Sequence, residues 1–436
     1  MPHTLLTVDL GFGDSGKGSI VDFLCRDRSA HTVVRYSGGA QAGHRVVTAD
    51  GREHVFSQFG AGTLAGAETF LSRHMLIEPL ALRAEAEHLI SLGHAGVMAR
   101  LAVDERALVI TPFHRAINRL RELARGDDRH GSCGIGVGEA QRDRLRHGAR
   151  VLFAGDLADV DRLRQKLNFL RKVARAKAQS LRPKRVATAA VAEELAWLDE
   201  ADVIDWLIDH YREIEAELRL VGPDHLERLM KREGTVLFEA AQGVLLDEWV
   251  GFHPHTTWAT VTLEPAESLL RDANFAGEVV RIGITRAYAT RHGAGPLPTE
   301  DRALTRALPD AANGNDPWQQ GFRVGWLDLV LLRYARAVAG RLDGLAVSCL
   351  DRLDALPTLK LCDRYDGLTR LPTAPRRHDL AHQSRLTRRL AQSQPLLTSL
   401  ESPAALLAAL SEALALPVTL ESHGPTAADK RWVTQR

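Results

Sequence analysis

Several features that would place the chain in a specialised class of protein are scarce or missing in its 436 residues. Its four cysteines, Cys25, Cys133, Cys349 and Cys362, lie far apart and form no CxxC pair, so neither a zinc site nor a disulfide framework is indicated. No apolar run approaches the roughly 20 residues that a membrane-spanning helix needs. The formal net charge is only +1, which gives no indication of a nucleic-acid or membrane partner.

The composition that remains is typical of a globular protein with a large core. Apolar residues make up 45% of the chain and charged residues 25%. There is no internal repeat and no low-complexity linker. The N-terminus runs directly into an apolar segment, so we expect no signal peptide and a cytoplasmic location.

Short apolar segments rich in β-branched residues alternate with longer helical patterns. The predicted strands are 5–10, 32–36, 235–238, 279–285, 345–348, 359–362 and 418–420, and the predicted helical stretches include 77–92, 111–123 and 191–230. Ser402 followed by Pro403 predicts the start of a late helix. This alternation predicts an α/β fold with a large, mostly parallel central sheet and flanking helices. We expect one domain over residues 1–436, with helical excursions at about 76–130 and 155–232.

The most informative segment follows the first predicted strand and reads GFGDSGKG at residues 11–18. Its glycines allow positive φ and turn backbone N–H groups toward an anion, and the following helix start adds partial positive charge. Lys17 can reach the outer phosphates of a nucleotide. A plain strand–helix turn is the alternative interpretation, but Lys17 together with Asp14 favours a P-loop-like phosphate cradle.

The cradle departs from the common pattern in two ways. Position 18 is Gly, so the Ser or Thr hydroxyl that usually holds Mg²⁺ there is missing. In addition, the carboxylate of Asp14 lies inside the loop itself. A carboxylate among anion-binding amides needs a partner, such as a metal ion or a proton to abstract.

A second glycine-rich segment, SGGAQAGH at residues 37–44, follows the second predicted strand. In an open α/β sheet ligands bind beyond the carboxyl ends of the strands, so we expect both loops to face one site. An imidazole beside a phosphate cradle can stabilise charge during phosphoryl transfer, which makes His44 a candidate catalytic residue. A structural histidine is the alternative.

These two loops and several later segments resemble the adenylosuccinate synthetase family in order and spacing. The similar segments are residues 13–18, 34–44, 131–138, 238–247, 287–300, 325–328, 350–351 and 422–425. They cover nearly the whole chain in sequence order, which is hard to obtain by chance.

The resemblance implies a ligase that joins IMP to aspartate at the expense of GTP. Asp14 would remove the N1 proton of the 6-oxopurine, and the oxyanion would attack the γ-phosphate of GTP. His44 would stabilise the transfer, and Lys17 would hold the phosphates. Mg²⁺ would be held by the Asp14 carboxylate and the Gly43 carbonyl. An amine would then displace the phosphoryl group.

The resemblance also implies two sets of binding residues and a homodimer. GTP would bind at Gly13, Gly16, Lys17, Gly18, Asp351, Ser422, Gly424 and Pro425, with Asp351 recognising guanine. The acceptor nucleotide and the amine donor would bind at Gln41, Cys133, Arg146, Gln242, Thr257 and Arg323. Arg146 falls at the position that reaches across to a second subunit, which implies the homodimer. No nucleic-acid or membrane partner is implied.

The chain differs from the family pattern where the substrates would bind. Gln41 replaces Asn, Cys133 replaces Thr, Trp258-Ala259-Thr260 replaces Ser-Ser-Asn, and Cys349 replaces Lys. These changes leave the acceptor open between IMP and another oxo-heterocycle. Asp351 is retained, which favours GTP over ATP as the phosphoryl donor.

The segment that binds aspartate in the family is rich in arginine, whereas residues 313–324 of this chain contain Arg323 as their single cation. A dicarboxylate usually needs more than one guanidinium group. The amine donor is therefore open between aspartate and another amine. A non-catalytic nucleotide sensor is a further alternative, but the intact Asp14 and His44 argue against it.

Overall fold

The computed structural model describes residues 3–126, 129–181, 188–310, 313, 318 and 321–433. Its strands are β1 (His3–Asp9), β2 (Ala30–Arg35), β3 (His44–Val47), β4 (Glu53–Phe56), β5 (Glu68–Leu71), β6 (Leu76–Ile77), β7 (Leu101–Asp104), β8 (Leu108–Val109), β9 (Arg219–Val221), β10 (Thr235–Glu239), β11 (Glu278–Arg286), β12 (Ala289–His292), β13 (Phe322–Gly325), β14 (Leu327–Asp328), β15 (Gly344–Ser348), β16 (Leu359–Tyr365), β17 (Pro395–Leu400), β18 (Val418–Ser422) and β19 (Lys430–Trp432).

The helices surround these strands. They are α1 (Lys17–Asp27), α2 (Pro79–Ser91), α3 (Pro112–Arg125), α4 (Val137–His147), α5 (Val160–Leu181), α6 (Thr188–Asp199), α7 (Val203–Glu217), α8 (His225–Met230), α9 (Glu264–Asp272), α10 (Arg302–Ala307), α11 (Leu329–Ala339), α12 (Leu380–Ala391) and α13 (Pro403–Leu414). Within the described residues, no helix combines the length and the apolar character needed to cross a membrane.

Ten strands of the described chain form one central sheet in the order β19-β18-β15-β11-β1-β10-β2-β5-β7-β9. Neighbouring strands run parallel throughout, except that β19 is antiparallel to β18. Helices cover the sheet, and this arrangement confirms the predicted α/β fold with a mostly parallel sheet.

The sheet separates two apolar cores. Alternate side chains of β1 enter opposite cores, with Leu5 in one and both Leu6 and Val8 in the other. Burial on both faces explains why the strand reads as a nearly continuous apolar run. Each fully buried Leu or Val stabilises the fold by roughly 1.5–3 kcal/mol, so the central strands hold the loops at their ends in fixed positions.

All seven predicted strands are present, with small shifts at their ends. The predicted helix start is also confirmed, because the Ser402 hydroxyl accepts a hydrogen bond from the Ala405 amide at 3.2 Å. The continuous helical stretch predicted for 191–230 is wrong. The chain there forms α6, α7, β9 and α8, and β9 extends the central sheet beside β7. Gly222 and Pro223 follow β9 and favour an extended chain before them.

The predicted excursions contain the expected helices, but each also sends a strand into the central sheet, β7 from the first and β9 from the second. The organisation as a single domain stays a prediction. Of the predicted donor-binding segment 313–324, residues 314–317, 319 and 320 lie outside the described residues.

Candidate active site

The segments singled out in the sequence follow strands that lie side by side. In spatial order β18, β15, β11, β1, β10 and β2 are neighbours and run parallel, so their carboxyl ends share one edge of the sheet. Gly424 and Asp351 follow the first two strands, Lys17 follows β1, and Gln242 and Gln41 follow β10 and β2. This edge is the place where open α/β sheets bind ligands.

The loops at this edge touch one another. A Cβ placed on Gly38, after β2, would lie 2.3 Å from the Cβ of Ala241, after β10. A Cβ on Gly243 would lie 2.1 Å from the carbonyl oxygen of Gly11, after β1. On the other side, the Ser348 hydroxyl at the end of β15 donates to the carbonyl of Ser15 at 2.8 Å. The loops therefore form one continuous surface, and glycine is required where they approach most closely.

The loop after β1 is organised around Asp9, the last residue of the strand. Its buried carboxylate accepts hydrogen bonds from the Gly11 amide at 2.7 Å, the Ser15 hydroxyl at 2.8 Å and the Lys17 ammonium at 2.6 Å. Burial raises the pKa of Asp9, but Lys17 and these hydrogen bonds outweigh it and hold the pKa below its usual value. Lys17 thus points into the loop in this structure, and its role toward phosphates stays a prediction.

Asp14 lies at the tip of this loop in the left-handed conformation, with φ of 56°. Asp tolerates this region better than most residues because its short side chain can bond locally. Its side chain is 28% exposed, and its Oδ2 lies 3.4 Å from Nε2 of His292. The carboxylate is therefore placed at the open edge of the sheet, where a ligand can reach it.

His44, the first residue of β3, is buried beneath the same edge. Its Nδ1 lies 2.5 Å from the carboxylate of Glu239, and its Nε2 lies 2.9 Å from the carbonyl oxygen of Ala241. Burial lowers the pKa of the imidazole, against the opposing effect of the Glu239 carboxylate. The ring is thus fixed between β10 and its following loop.

Glu239 is itself held in place by several contacts. Its second oxygen accepts the amide of Ala61 at 2.9 Å. Burial raises its pKa, but the fully buried guanidinium of Arg35 and the His44 ring outweigh burial and lower it. A carboxylate kept ionised beside the imidazole can fix the orientation of His44 and stabilise positive charge on the ring.

The amide side chains after β2 and β10 contrast with this network because several of their atoms are unpaired. The Gln41 amide nitrogen lies 3.5 Å from the Thr257 hydroxyl. In the described part of the chain, Oε1 of Gln41 and both amide atoms of Gln242 are buried and find no hydrogen-bond partner. Such groups are costly to bury, and a bound ligand with donors and acceptors would satisfy them.

At the end of the sheet edge formed by β18, Lys430 holds residues 422–425 in place. Its ammonium donates to the carbonyls of Gly424 and Thr426, both at 2.8 Å, and the Ser422 hydroxyl lies 3.3 Å from the Gly424 carbonyl. Burial lowers the pKa of Lys430 to about 8. Asp351 follows β15 and is exposed to solvent. The predicted guanine-binding residues thus lie at or just after the ends of two neighbouring strands, and their function stays a prediction.

Three other predicted residues lie outside these loops, at Cys133, Arg146 and Arg323. Cys133 is partly exposed in the loop before α4. Arg146 lies on α4 and is exposed, next to Leu145, which is 78% exposed. Arg323 contacts Glu300 at 2.7 Å and donates to a second acceptor, the Gly293 carbonyl, at 2.6 Å. None of these placements tests the predicted roles.

Asp9, Glu239 and His292 contact the proposed catalytic residues, and no sequence motif pointed to a role for them. Asp9 and Glu239 are each the last residue of a buried parallel strand. An acidic residue at the carboxyl end of a buried strand could have marked these two residues in the sequence, because that end of the strand lies at the ligand-binding edge of the sheet. His292 gave no such signal, since its contact with Asp14 depends on how β12 packs.

Comparison with known proteins gives matches along most of the chain. The adenylosuccinate synthetase family model matches residues 7–422. The adenylosuccinate synthetase of Chlorobium chlorochromatii is 34% identical over 452 aligned residues, which cover 98% of this chain and 96% of that protein.

Two solved structures show the same fold. The fully ligated adenylosuccinate synthetase from Plasmodium falciparum has a TM-score of 0.78 at 19% identity and covers 99% of each chain. The succinoaminodeoxyadenylate synthetase of cyanophage S-2L, bound to dGMP and dATP as an energy donor, has a TM-score of 0.55 at 16% identity. That match covers 99% of this chain and 95% of the phage protein.

Proposed function

Because the chain belongs to the adenylosuccinate synthetase family of GTP-hydrolysing carbon–nitrogen ligases, we propose that it phosphorylates the 6-oxygen of a purine nucleotide such as IMP and replaces it with an amine. The observation that carries the proposal is the order of the loops along one sheet edge. Asp351 lies at one end, Lys17 and Asp14 lie in the middle, and Gln242 and Gln41 lie at the other end. In this order GTP can bind from the Asp351 end and the acceptor purine from the glutamine end, so that the γ-phosphate and the purine meet at the phosphate loop between them.

The proposed reaction has two steps. Asp14 accepts the N1 proton of the purine, the 6-oxygen forms a bond to the γ-phosphorus, and the bond from that phosphorus to GDP breaks. The amine then attacks C6, and phosphate leaves with the former 6-oxygen. A carbonyl oxygen is a poor leaving group and phosphate is a good one, which explains why the reaction consumes a nucleoside triphosphate.

Lys17 and His44 would assist by compensating negative charge on the phosphoryl group. In this structure the Lys17 ammonium binds Asp9, and Nε2 of His44 faces the Ala241 carbonyl. Asp9 and the Ala241 carbonyl thus hold the side chains of Lys17 and His44 beside the phosphate loop. We propose that phosphate oxygens share or take over these contacts when the nucleotide binds.

The site also fits a magnesium ion bound together with a nucleotide. Among the described residues, no group of three or more His, Cys, Asp or Glu side chains could hold a metal ion alone. Mg²⁺ typically binds through one or two carboxylates together with substrate phosphates and water. Asp14, partly exposed in the phosphate loop, and the carbonyl of Gly43 provide that kind of donor set. The ion would neutralise charge on the transferred phosphoryl group.

The surroundings of Arg323 favour a second candidate, in which the amine donor is not aspartate. Its guanidinium contacts Glu300 at 2.7 Å and donates to the carbonyls of Gly293 at 2.6 Å and Gly295 at 2.9 Å. The charge of this cation is therefore already compensated. A dicarboxylate donor is best held by free guanidinium groups that form paired hydrogen bonds. An amine with one carboxylate, or none, needs fewer of them.

We further propose a homodimer in which Arg146 serves the second subunit's site. Arg146 is exposed on α4, as a residue that reaches a second subunit must be. Asp14 would serve the site of its own subunit. If so, a mixture of inactive Asp14→Asn and Arg146→Ala proteins contains mixed dimers with one intact site and regains activity. A mixture that stays inactive would contradict this arrangement.

The test is a nucleotide assay followed by mass spectrometry. The protein is incubated with Mg²⁺, either GTP or ATP, and either IMP or dGMP, with and without aspartate. A succinylated nucleotide formed with GDP and phosphate establishes aspartate as the donor. GDP formation that depends on the acceptor, without an aspartate adduct, supports another amine. No acceptor-dependent turnover under any combination would contradict the proposed reaction.

A further inference from the structure

The hairpin of β12 and β13 brings a histidine to the proposed catalytic carboxylate. His292 is the last residue of β12 and pairs with Phe322 of β13. Its Nε2 lies 3.4 Å from Oδ2 of Asp14, although the two residues are far apart in sequence. Their side chains are 19% and 28% exposed, so the contact lies at the partly open edge of the site.

The imidazole of His292 is held in one orientation by its neighbours. Its ring packs on that of Phe322, with 5.0 Å between the centroids. Its Nε2 also lies 3.1 Å from Oδ1 of Asn313. Its Nδ1 is buried and has no hydrogen-bond partner among the described residues.

This pattern selects one tautomer of the ring. A proton on Nε2 can be donated to Oδ1 of Asn313 at 3.1 Å, and Oδ2 of Asp14 lies next to the same nitrogen at 3.4 Å. A proton on Nδ1 would be buried without an acceptor, which costs free energy. A proton on Nε2 therefore suits the surroundings of the ring, and it lies beside the Asp14 carboxylate.

We propose that His292 is a positioning residue for Asp14. Its Nε2–H donates to Oδ2 and holds the carboxylate toward the site, so that Oδ1 remains available to the acceptor. Asp14 needs such a partner because it lies at a partly exposed loop tip, where a carboxylate can turn toward water. This inference rests on the proposed function, in which Asp14 is the general base.

The test compares three substitutions that differ in where they place an N–H group. The amide nitrogen of His292→Gln lies at about the distance of Nε2 along the side chain, whereas that of His292→Asn lies nearer to Nδ1. His292→Leu has no donor. We expect kcat to fall by about 10- to 100-fold in the Leu and Asn variants, because a misplaced base slows the chemical step. We expect the Gln variant to recover most of the activity.

The Michaelis constants separate positioning from a general loss of structure. KM for GTP should change less than kcat in all three variants, because the proposed phosphate contacts of Lys17 and the loop amides are kept. A wild-type kcat in His292→Leu, or equal rates for His292→Asn and His292→Gln, would overturn the inference. Thermal unfolding shows whether each variant is folded before its rates are compared.

A second measurement keeps this inference separate from the proposed function. If the wild-type protein shows no acceptor-dependent turnover, the proposed function fails, and crystal structures of the free protein decide about His292. We expect the Asp14 carboxylate to face His292 in the wild type and His292→Gln, and to turn away in His292→Leu. A carboxylate in the same position in all three would overturn the positioning role.

Discussion

The two ends of the candidate site satisfy their polar groups in opposite ways. At the phosphate end, formed by Asp9, Lys17, His44 and Glu239, buried charges bind one another and the surrounding loop. At the acceptor end, formed by Gln41, Gln242 and Thr257, buried amide atoms have no partner in the described structure.

This difference indicates which part of the site is complete without ligand. The phosphate end is preorganised, because its side chains already have fixed partners. The acceptor end keeps unsatisfied polar groups that cost about 1–3 kcal/mol each until a ligand binds. If this end binds the acceptor as proposed, its specificity depends on hydrogen bonds that are still to be made, and one of the residues that would make them, Gln41, differs from the family pattern.

The largest effect is expected from Asp14→Asn. Asparagine keeps the shape of the side chain but cannot accept the proton, and loss of a general base lowers kcat by about 10³-fold. Steady-state GDP release with the acceptor measures this loss. Thermal unfolding serves as the control and should change little, because the side chain is partly exposed. A variant that keeps its activity would remove Asp14 from the mechanism.

Asp9→Asn tests whether the phosphate end is held together by internal charge. The substitution leaves the Lys17 ammonium, which is 3% exposed, without its carboxylate. Removing one partner of a buried pair typically destabilises a protein by about 3–5 kcal/mol. Urea unfolding measures the change, and Asp50→Asn, which affects an exposed pair with Arg52, is the control expected to have little effect.

The same pair predicts a pH dependence. Because the folded-state pKa of Asp9 lies below its usual value, its stabilising contribution is present above about pH 4 and is lost as the pH falls. The wild type should therefore lose more stability on acidification than Asp9→Asn. Parallel stability curves for the two proteins would contradict an ionised Asp9.

Glu239→Gln should reduce kcat by about a hundredfold without raising KM for GTP. The substitution removes the negative charge beside His44 but keeps a side chain of the same size. The imidazole then loses the partner that stabilises its protonated form. Kinetics with saturating GTP measure the effect. An unchanged kcat would show that the pair has only a structural role.

The smallest effect is expected from Gln242→Leu, which should increase the stability of the free protein instead of lowering it. Removing two buried, unpaired polar atoms should stabilise the free protein by about 1 kcal/mol. It should also raise KM for the acceptor while KM for GTP stays the same. Gln58→Leu is the matched control, because the Gln58 amide is buried and bonded to the backbone of Glu78, so its loss should destabilise. Destabilisation by both substitutions would contradict the difference between the two ends.

The sequence predicted the fold class because its central strands are buried on both faces and read as continuous apolar runs. The short strands β5, β7 and β9 were not predictable in this way. They have only three or four residues and belong to the sheet because they pair with neighbouring strands. That the two glycine-rich loops face one site was predictable from the strands that precede them, but the position of β10 between β1 and β2 was not.

The candidate site was predictable where its residues lie in short motifs, as Asp14, Lys17 and His44 do. Their supporting partners were not predictable from local sequence. Glu239 is 195 residues away from His44, and the contact of His292 with Asp14 depends on the packing of a distant hairpin. Such contacts come from the order of strands in the sheet, which no short motif contains.

The most direct test of phosphoryl transfer to the 6-oxygen uses IMP labelled with ¹⁸O at that position. The protein is incubated with labelled IMP, GTP, Mg²⁺ and an amine donor, and the released phosphate is analysed by mass spectrometry. We expect each phosphate released with GDP to contain the ¹⁸O from IMP. Phosphate that takes its new oxygen from water would show simple GTP hydrolysis and contradict phosphoryl transfer to the 6-oxygen.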